Sequence, residues 1–315
     1  MKNDKSSGHG VGVVCFAAPA KLNLYLHVLG RRDDGYHLLD SLMTFVRVGD
    51  GIYAEPAHDL SLTVEGPFAE GLDEGEDNLV LRAARCLAGA GGVTAGVRIR
   101  LVKNLPLASG LGGGSADAAA TLQALSHLWR LSPAPEDMVA LALGLGADVP
   151  FCLAGEAGFV GGIGESLEPA AVPPPGAPAV WVVLINPSAA LSTSEVFAAR
   201  EGPFSQSGRF KDIPSDAAEL AALLKERNND LTQAAVSLSP EIGNALDALE
   251  SSRGSLLARM SGSGTTCFGL FGGEDDARQA AAVISGEAPG WWVVTTRLAA
   301  DIANVTLDEG ILAGS

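Results

Sequence analysis

Leu60, Leu62 and Val64 alternate with polar residues, and so do Val97, Ile99 and Leu101. A period of two predicts strands over these segments, the second running to Lys103. Further strands are expected at Val13–Phe16, Leu22–Leu29, Ser41–Val48, Gly51–Glu55, Val180–Ile185, Thr265–Phe271 and Trp291–Arg297. Arg31-Arg32-Asp33-Asp34-Gly35 reads as a turn. Helical spacing appears at Asn78–Ala90, where Leu79, Ala83, Cys86 or Leu87, and Ala90 share a face. It recurs where Ala118, Leu122, Leu125 and Trp129 form one stripe. Pro135–Leu145 is a third helix, with Glu136 and Asp137 complementing the dipole of its first turn and Gly144 and Gly146 as stop signals. Residues 215–228, 240–251 and Glu274–Ile284 also read as helices. Asp148 follows the glycine-punctuated end of the Pro135–Leu145 helix, and because Val149 precedes a proline an extended exit is expected there. Strands and helices mix without regular βαβα alternation and no repeat is visible, which argues an α+β fold.

A chain of 315 residues has room for two domains, and Pro173-Pro174-Pro175-Gly176 marks a stiff connection between them. Residues 1–10 read as a disordered tail. Lys2 and Lys5 before the mostly apolar run Val11–Ala20 imitate a signal peptide. Asp4, Pro19 in the would-be cleavage site and the direct continuation into a strand favour a buried strand instead. No apolar run approaches the roughly 20 residues of a membrane span. The net charge of −16 repels phosphate backbones and excludes general nucleic-acid binding. Any phosphate must therefore be held by local cations, backbone N–H groups or Mg²⁺. Four scattered cysteines form no CxxC pair and read as buried, reduced thiols of a cytoplasmic protein.

The strongest local signal is Pro106-Leu-Ala-Ser-Gly-Leu-Gly-Gly-Gly-Ser115, which follows a strand and opens a helix. Consecutive N–H groups at a helix N-terminus, with no Cβ atoms in the way, cradle an anion. Ser115 adds a hydroxyl at the expected N-cap position. An ordinary tight connection before a capped helix would have the same composition. No lysine follows the last glycine, so this is no Walker A loop, and the dinucleotide fingerprint lacks its third glycine. The protein-kinase HRD and DFG motifs are absent. Lys21, in apolar surroundings, needs an anion or a route to solvent. Lys21 and Asp148 gain meaning only if they meet.

Three segments together resemble the GHMP kinase superfamily: Pro19-Ala-Lys-Leu-Asn-Leu24, Leu105–Ser115 and Met260-Ser-Gly-Ser-Gly-Thr265. Their order and spacing fit from about residue 13 to 300. Arg32-Asp-Asp-Gly-Tyr-His37, Glu76-Asp-Asn-Leu79 and Leu145-Gly-Ala-Asp-Val-Pro150 narrow the resemblance to a branch acting in isoprenoid synthesis. That branch uses ATP to phosphorylate the tertiary 2-hydroxyl of a cytidine-diphosphate derivative of methylerythritol.

The resemblance implies a two-domain α+β architecture. An N-terminal ATP-binding domain over 11–168 would have a ribosomal S5 domain 2-like fold. A C-terminal domain over 177–315 would be ferredoxin-like, with the active site in the cleft between them. It also implies that Asp148 orients the hydroxyl and accepts its proton, while Lys21 stabilises charge on the reacting oxygen. Pro106, Leu107, Ala108, Ser109, Gly110, Leu111, Gly112, Gly113, Gly114, Ser115 and Ala116 would hold the ATP phosphates. Asn78, Leu79 and Lys103 would line the adenine side. Tyr36 and Phe197 would sandwich cytosine, His37 would read its edge, and Asn23 would hold the erythritol end. Mg²⁺ would be held mainly by phosphates and water, because no Glu fits a dedicated ligand position. Ala108-Ser109 stands where related loops often carry glycines, so the loop entry is expected to be stiffer. Asp117 is expected to face away from the phosphates. The expected partners are small molecules, neither nucleic acid nor membrane, and the chain is expected to be a monomer or weak homodimer. Two other readings stay open: another superfamily kinase acting on homoserine, mevalonate or a sugar, and a non-catalytic ATP-binding regulator.

Overall fold

A computed structural model describes residues 12–305. The tail at 1–10 lies outside the described residues, as do Lys2 and Lys5. Two long strands, β1 (Val14–Arg31) and β2 (His37–Ala57), pair antiparallel along their whole length, from Val14 opposite Ala54 to Arg31 opposite His37. Each was expected as two strands. In β1 the chain shifts register between Pro19 and Lys21 without leaving the sheet. In β2 Gly49-Asp50 reads like a break but serves close packing. A Cβ on Gly49 would lie 2.3 Å from the Ala18 carbonyl oxygen, so only glycine lets the paired strands stay together there.

The next strand, β3 (Ser61–Glu65), runs parallel to β4 (Gly96–Val102), with α1 (Leu79–Gly91) between them in the chain. Asn78 caps α1 by accepting from the Val80 N–H, and Val80, Ala83, Ala84 and Leu87 form its buried face. Cys86 and Cys15 are exposed, against the expectation that all the thiols are buried; Cys152 and Cys267 are buried. The helices α2 (Gly113–Trp129) and α3 (Pro135–Leu145) follow, then α4 (Val149–Ala154). The expected extended exit at Asp148 is thus a helix. Pro150 lies in its first turn, where its missing N–H costs no intrahelical bond, and this position overrides the preference of the preceding residue. β5 (Gly158–Gly162) and β6 (Ser166–Pro169), unforeseen in the sequence, extend the sheet beside the start of β2.

The second half holds β7 (Trp181–Asn186), α5 (Thr193–Ala199), α6 (Ala217–Lys225), α7 (Thr232–Leu238) and α8 (Glu241–Glu250). It continues with β8 (Ser255–Met260), β9 (Cys267–Phe271), α9 (Glu274–Glu287) and β10 (Trp292–Ala299). The strand order β10-β7-β9-β8 is the fourth, first, third and second strand of this half, the ferredoxin-like order. The end of β10 pairs with Val46 and Phe45 of β2, joining the halves into one sheet path. One core cluster also spans them, with Leu22, Leu24 and Leu42 packed with Leu184 and Phe268. The fold is α+β, as expected. Among the described residues, no helix is long and apolar enough to cross a membrane.

A buried carboxylate fastens an irregular segment of the second half to the first. Asp40 accepts from the Tyr25 hydroxyl at 3.0 Å, the Ser207 hydroxyl at 3.0 Å, the Gly208 N–H at 2.7 Å and Arg209 Nε at 2.9 Å. Burial pushes the Asp40 carboxyl up, but these bonds outweigh it and hold it below the usual carboxylate value. A depressed folded pKa gives stability that is present above the unfolded value near 3.9 and lost as pH falls through the folded one. Asp40→Asn should therefore lower the thermal midpoint at pH 7, and its deficit against wild type should shrink toward pH 3. Thermal unfolding of both proteins across that range measures it; a pH-independent deficit would contradict the account.

Candidate active site

Lys21 lies in β1 where the register shifts, and its side chain is only 5% exposed. A buried ammonium needs partners. Its Nζ donates to Asn23 Oδ1 at 2.6 Å and lies 3.5 Å from Asp148 Oδ2. Asn23 is fixed in turn, its Nδ2 donating to the Ser41 hydroxyl at 2.9 Å and its backbone N–H to the Ser261 hydroxyl at 3.2 Å. Asp148, at the N-cap of α4, keeps 39% of its side chain exposed, so one end of the pair opens toward ligand.

The glycine loop is built against this pair. The Lys21 N–H donates to the Leu111 carbonyl at 3.0 Å. Gly112, with φ of 66°, caps α2 in the left-handed region, and a Cβ there would sit 2.7 Å from Lys21 Cγ. Gly110, with φ of 76°, packs on the Ser261–Gly264 turn, where a Cβ would lie 2.4 Å from the Ser261 carbonyl oxygen. The Ser261 hydroxyl donates to the Gly110 carbonyl and the Thr266 N–H to the Ser109 carbonyl. Asn229, missed in the sequence, ties that turn down by donating to the Met260 and Gly262 carbonyls. Ser115 is the third residue of α2 rather than its N-cap, because the helix begins two residues earlier, at Gly113. Its N–H is still one of the unpaired donors of a first turn. Ala108 takes a φ of 49°, a conformation that costs a non-glycine residue about 1 kcal/mol.

Beneath the loop is a buried group of charges. Lys103 Nζ, 2% exposed as a residue, contacts Asp50 at 2.5 Å and Asp117 at 2.6 Å. Burial disfavours the Lys103 charge, but the two carboxylates outweigh it and raise its pKa. Burial also pushes the Asp117 carboxyl up, against the attraction of Lys103. Asp50 Oδ1 accepts from the Asn104 and Leu105 N–H groups. The group thus joins β2, the loop entry and α2. Asp117 is buried toward Lys103, and Lys103 answers the charge that would otherwise oppose phosphate.

A single cavity of about 1630 Å³ takes in most of the expected residues. Lys21, Asn23, Tyr36, His37, Asn78, Leu79, Lys103, Asp148 and Phe197 line it, together with Pro106–Gly110 and Gly112–Ser115. Leu111 and Ala116 are buried behind it. Asn78 spends its side chain on the α1 cap and on the Asp73 carbonyl. At the far end the His37 ring stacks on Phe197 with centroids 4.8 Å apart, while Tyr36 stands on the rim, 62% exposed. Arg31 and Arg200, both missed in the sequence, also line this end. The volume exceeds the roughly 300–1,000 Å³ of a site for one small ligand. A left-handed glycine loop at a helix N-terminus, with a lysine–carboxylate pair beside it, suits phosphoryl transfer to an alcohol. Among the described residues, no group of His, Cys, Asp or Glu is arranged to hold a metal ion on its own.

Comparison with known proteins agrees with this class. The pattern for the GHMP kinases N terminal domain matches residues 78–156, and that for the GHMP kinases C terminal region matches 210–289. A 4-diphosphocytidyl-2-C-methyl-D-erythritol kinase of Paramagnetospirillum magneticum is 52% identical over 281 residues, covering 89% of this chain and 97% of that protein. The enzyme of the same name from Rhodospirillum rubrum is 48% identical, covering 92% of this chain and 94% of its own. A crystal structure of 4-(cytidine 5'-diphospho)-2C-methyl-D-erythritol kinase superposes with a TM-score of 0.70 at 37% identity, covering 90% of this chain and 99% of that one. A homoserine kinase from Cytophaga hutchinsonii shares the fold, with a TM-score of 0.68 at 18% identity over 96% of this chain and 98% of its own. The fold and the site are those of a small-molecule kinase of the GHMP superfamily. Within it, the chain belongs to the 4-diphosphocytidyl-2-C-methyl-D-erythritol kinase family.

Gly112→Ala tests the cradle. The methyl group would meet the Lys21 stem in a conformation alanine resists. A displacement of about 1 Å at the reacting centre lowers turnover by about 10²-fold. Steady-state kinetics should show a fall of that order with circular dichroism unchanged; wild-type turnover would refute the packing of loop on lysine.

Proposed function

We propose that the chain transfers the γ-phosphoryl group of ATP to the 2-hydroxyl of 4-diphosphocytidyl-2-C-methyl-D-erythritol, giving the 2-phosphate and ADP. The observation that carries this reading is the Lys21–Asp148 pair, 3.5 Å apart, beside the glycine loop in a cavity whose other end holds Tyr36, His37 and Phe197. ATP lies with its phosphates along Gly110–Ser115 and its adenine toward Asn78 and Leu79. The aromatic end takes the cytosine, with Tyr36 offering an open face, Phe197 backing the His37 ring and His37 turned to the edge of the base. Asn23, held by Ser41, faces the erythritol.

In the reaction the acceptor oxygen forms a bond to the γ-phosphorus as the bond to the bridging oxygen of ADP breaks. Asp148 orients the hydroxyl and takes its proton. Lys21 places positive charge beside the carboxylate and the reacting oxygen. A tertiary alcohol is crowded, so positioning and charge stabilisation carry most of the rate. Mg²⁺ would be held mainly by the phosphates and water, with the Ser115 hydroxyl of the cavity wall as the protein group available to it, and would supply charge neutralisation on the phosphate chain. The thiols are all free, which supports work in a reducing cytoplasm.

Asp148→Asn keeps the shape of the side chain but cannot accept a proton. It should lower kcat by about 10²–10⁴-fold while an ATP analogue still binds in isothermal titration. Retention of more than about a third of kcat would remove Asp148 from the reaction. Wild type should use the cytidyl acceptor and reject its uridyl analogue. Homoserine, mevalonate or a free sugar accepted in its place would move the reading to another branch of the superfamily.

A further inference from the structure

One buried charge takes no part in the reaction above. Arg259 lies in β8, opposite Phe268 of β9, and is only 8% exposed. Among the described residues its hydrogen bonds go to backbone carbonyls and to no carboxylate. Nη1 donates to the Leu24 carbonyl at 2.7 Å, and Nη2 donates to those of Leu224 at 2.9 Å and Arg227 at 2.6 Å. Leu224 is in the last turn of α6 and Arg227 lies just beyond it, where carbonyls lack intrahelical partners. Leu24 belongs to β1. Burial and the nearby Arg227 charge lower the Arg259 pKa to about 10, so the group is still a cation at neutral pH.

The Leu24 carbonyl is the informative partner. β1 shifts register against β2 between Pro19 and Lys21 and again between Asn23 and Tyr25, where Leu24 has no partner in the register. Lys21, Leu22 and Asn23 therefore form a short paired segment between two irregularities. A bulge re-aims the side chains beside it and takes backbone groups out of the ladder. Each irregularity is fixed from outside the hairpin. At the first, the Lys21 N–H donates to the Leu111 carbonyl. At the second, Arg259 takes the Leu24 carbonyl, while the hydroxyl of Ser261, two residues along from Arg259, accepts from the Asn23 N–H. Lys21 and Asn23 point to one face of the strand, so the bond between them depends on where this segment stands.

We infer that Arg259 is a positioning residue for the phosphoryl transfer: by holding the bulge at Leu24 it sets Asn23 and, through Asn23, the Lys21–Asp148 pair. The inference rests on the proposed reaction and adds what aligns the strand that carries the lysine. Arg259 does not line the cavity, so it acts without touching a ligand. A guanidinium suits the task. Its planar fork reaches β1 and the end of α6 together, whereas the point charge of a lysine cannot answer carbonyls of two elements in fixed directions. A methionine would fill the space and leave all three carbonyls without this donor.

The test compares Arg259→Lys and Arg259→Met with wild type at a temperature where circular dichroism shows each folded. With the cytidyl acceptor kcat should fall in both, by up to about 10²-fold in the Met variant, as for a displacement of about 1 Å at the reacting centre, while KM for ATP stays unchanged. The loss should not add to that of Asn23→Ala: the double variant should be no slower than the slower single one, because Arg259 acts through Asn23. Ile284→Ala, a core truncation on α9, should lower the thermal midpoint and leave kcat alone, so lost stability by itself does not give this pattern. If Arg259→Met does not fold, Arg259→Lys carries the comparison. A crystal structure of the Lys variant gives a readout apart from activity: Asn23 should be displaced, and Lys21 Nζ should leave its place 3.5 Å from Asp148. Unmoved Lys21 and Asn23, wild-type kcat in either folded variant, or a loss that multiplies with that of Asn23→Ala would overturn the inference and leave the proposed reaction standing. Failure of wild type to phosphorylate the cytidyl acceptor would overturn the proposed reaction instead, and the position of Lys21 and Asn23 in the variant would then decide the inference.

Discussion

An ammonium group cannot be left alone in the interior, and the geometry around Lys21 follows from that constraint. The residue lies in a strand packed on both sides, at the seam between the two halves. Its charge is met by Asn23 and Asp148, and each of these is placed by a different element: Asn23 by the same strand and the Ser261 turn, Asp148 by the N-cap of α4. The stem of the lysine leaves no room for a Cβ at Gly112, so the glycine loop can close down on it. Strand, loop, turn and helix thus meet at one cation, which brings the glycine loop and the Asp148 carboxylate together.

The second buried lysine supports the first. Lys103 draws Asp50 and Asp117 together under the loop, and Asp50 also holds the backbone of Asn104 and Leu105. Removing one member of such a group leaves an uncompensated buried charge, which costs about 3–5 kcal/mol. The loop above is therefore fixed from below by ions and from the side by the Ser261–Gly264 turn. Preorganisation of this kind lets backbone N–H groups stabilise charge without reorganising during the reaction.

Much of this was legible in the sequence, and the exceptions have physical reasons. Strictly alternating segments such as Val97–Lys103 were found because one face of their sheet is buried. The long strands were split at Pro19 and at Gly49-Asp50 because local preferences mark breaks there, while pairing over the whole hairpin overrides them. α4 was missed because a proline reads as a stop, although in a first turn it starts a helix. The cradle was visible because glycine spacing is local. Lys21 and Asp148 were visible only as motifs, since their meeting depends on contacts between residues more than a hundred positions apart. Arg200 and Asn229 carried no local signal, because their place depends on the tertiary fold: Arg200 on the cavity it lines, Asn229 on the Met260–Gly262 turn it ties down.

The central claim is that Lys21 and Asp148 converge on one acceptor oxygen next to the γ-phosphorus. A crystal structure with a non-hydrolysable ATP analogue and the cytidyl acceptor measures this directly. The account predicts the 2-hydroxyl oxygen within hydrogen-bond reach, about 2.6–3.2 Å, of the Asp148 carboxylate, facing the γ-phosphorus and with Lys21 Nζ alongside. A hydroxyl lying beyond about 5 Å from Asp148, with no bridging water and the γ-phosphate turned away from Lys21, would contradict it.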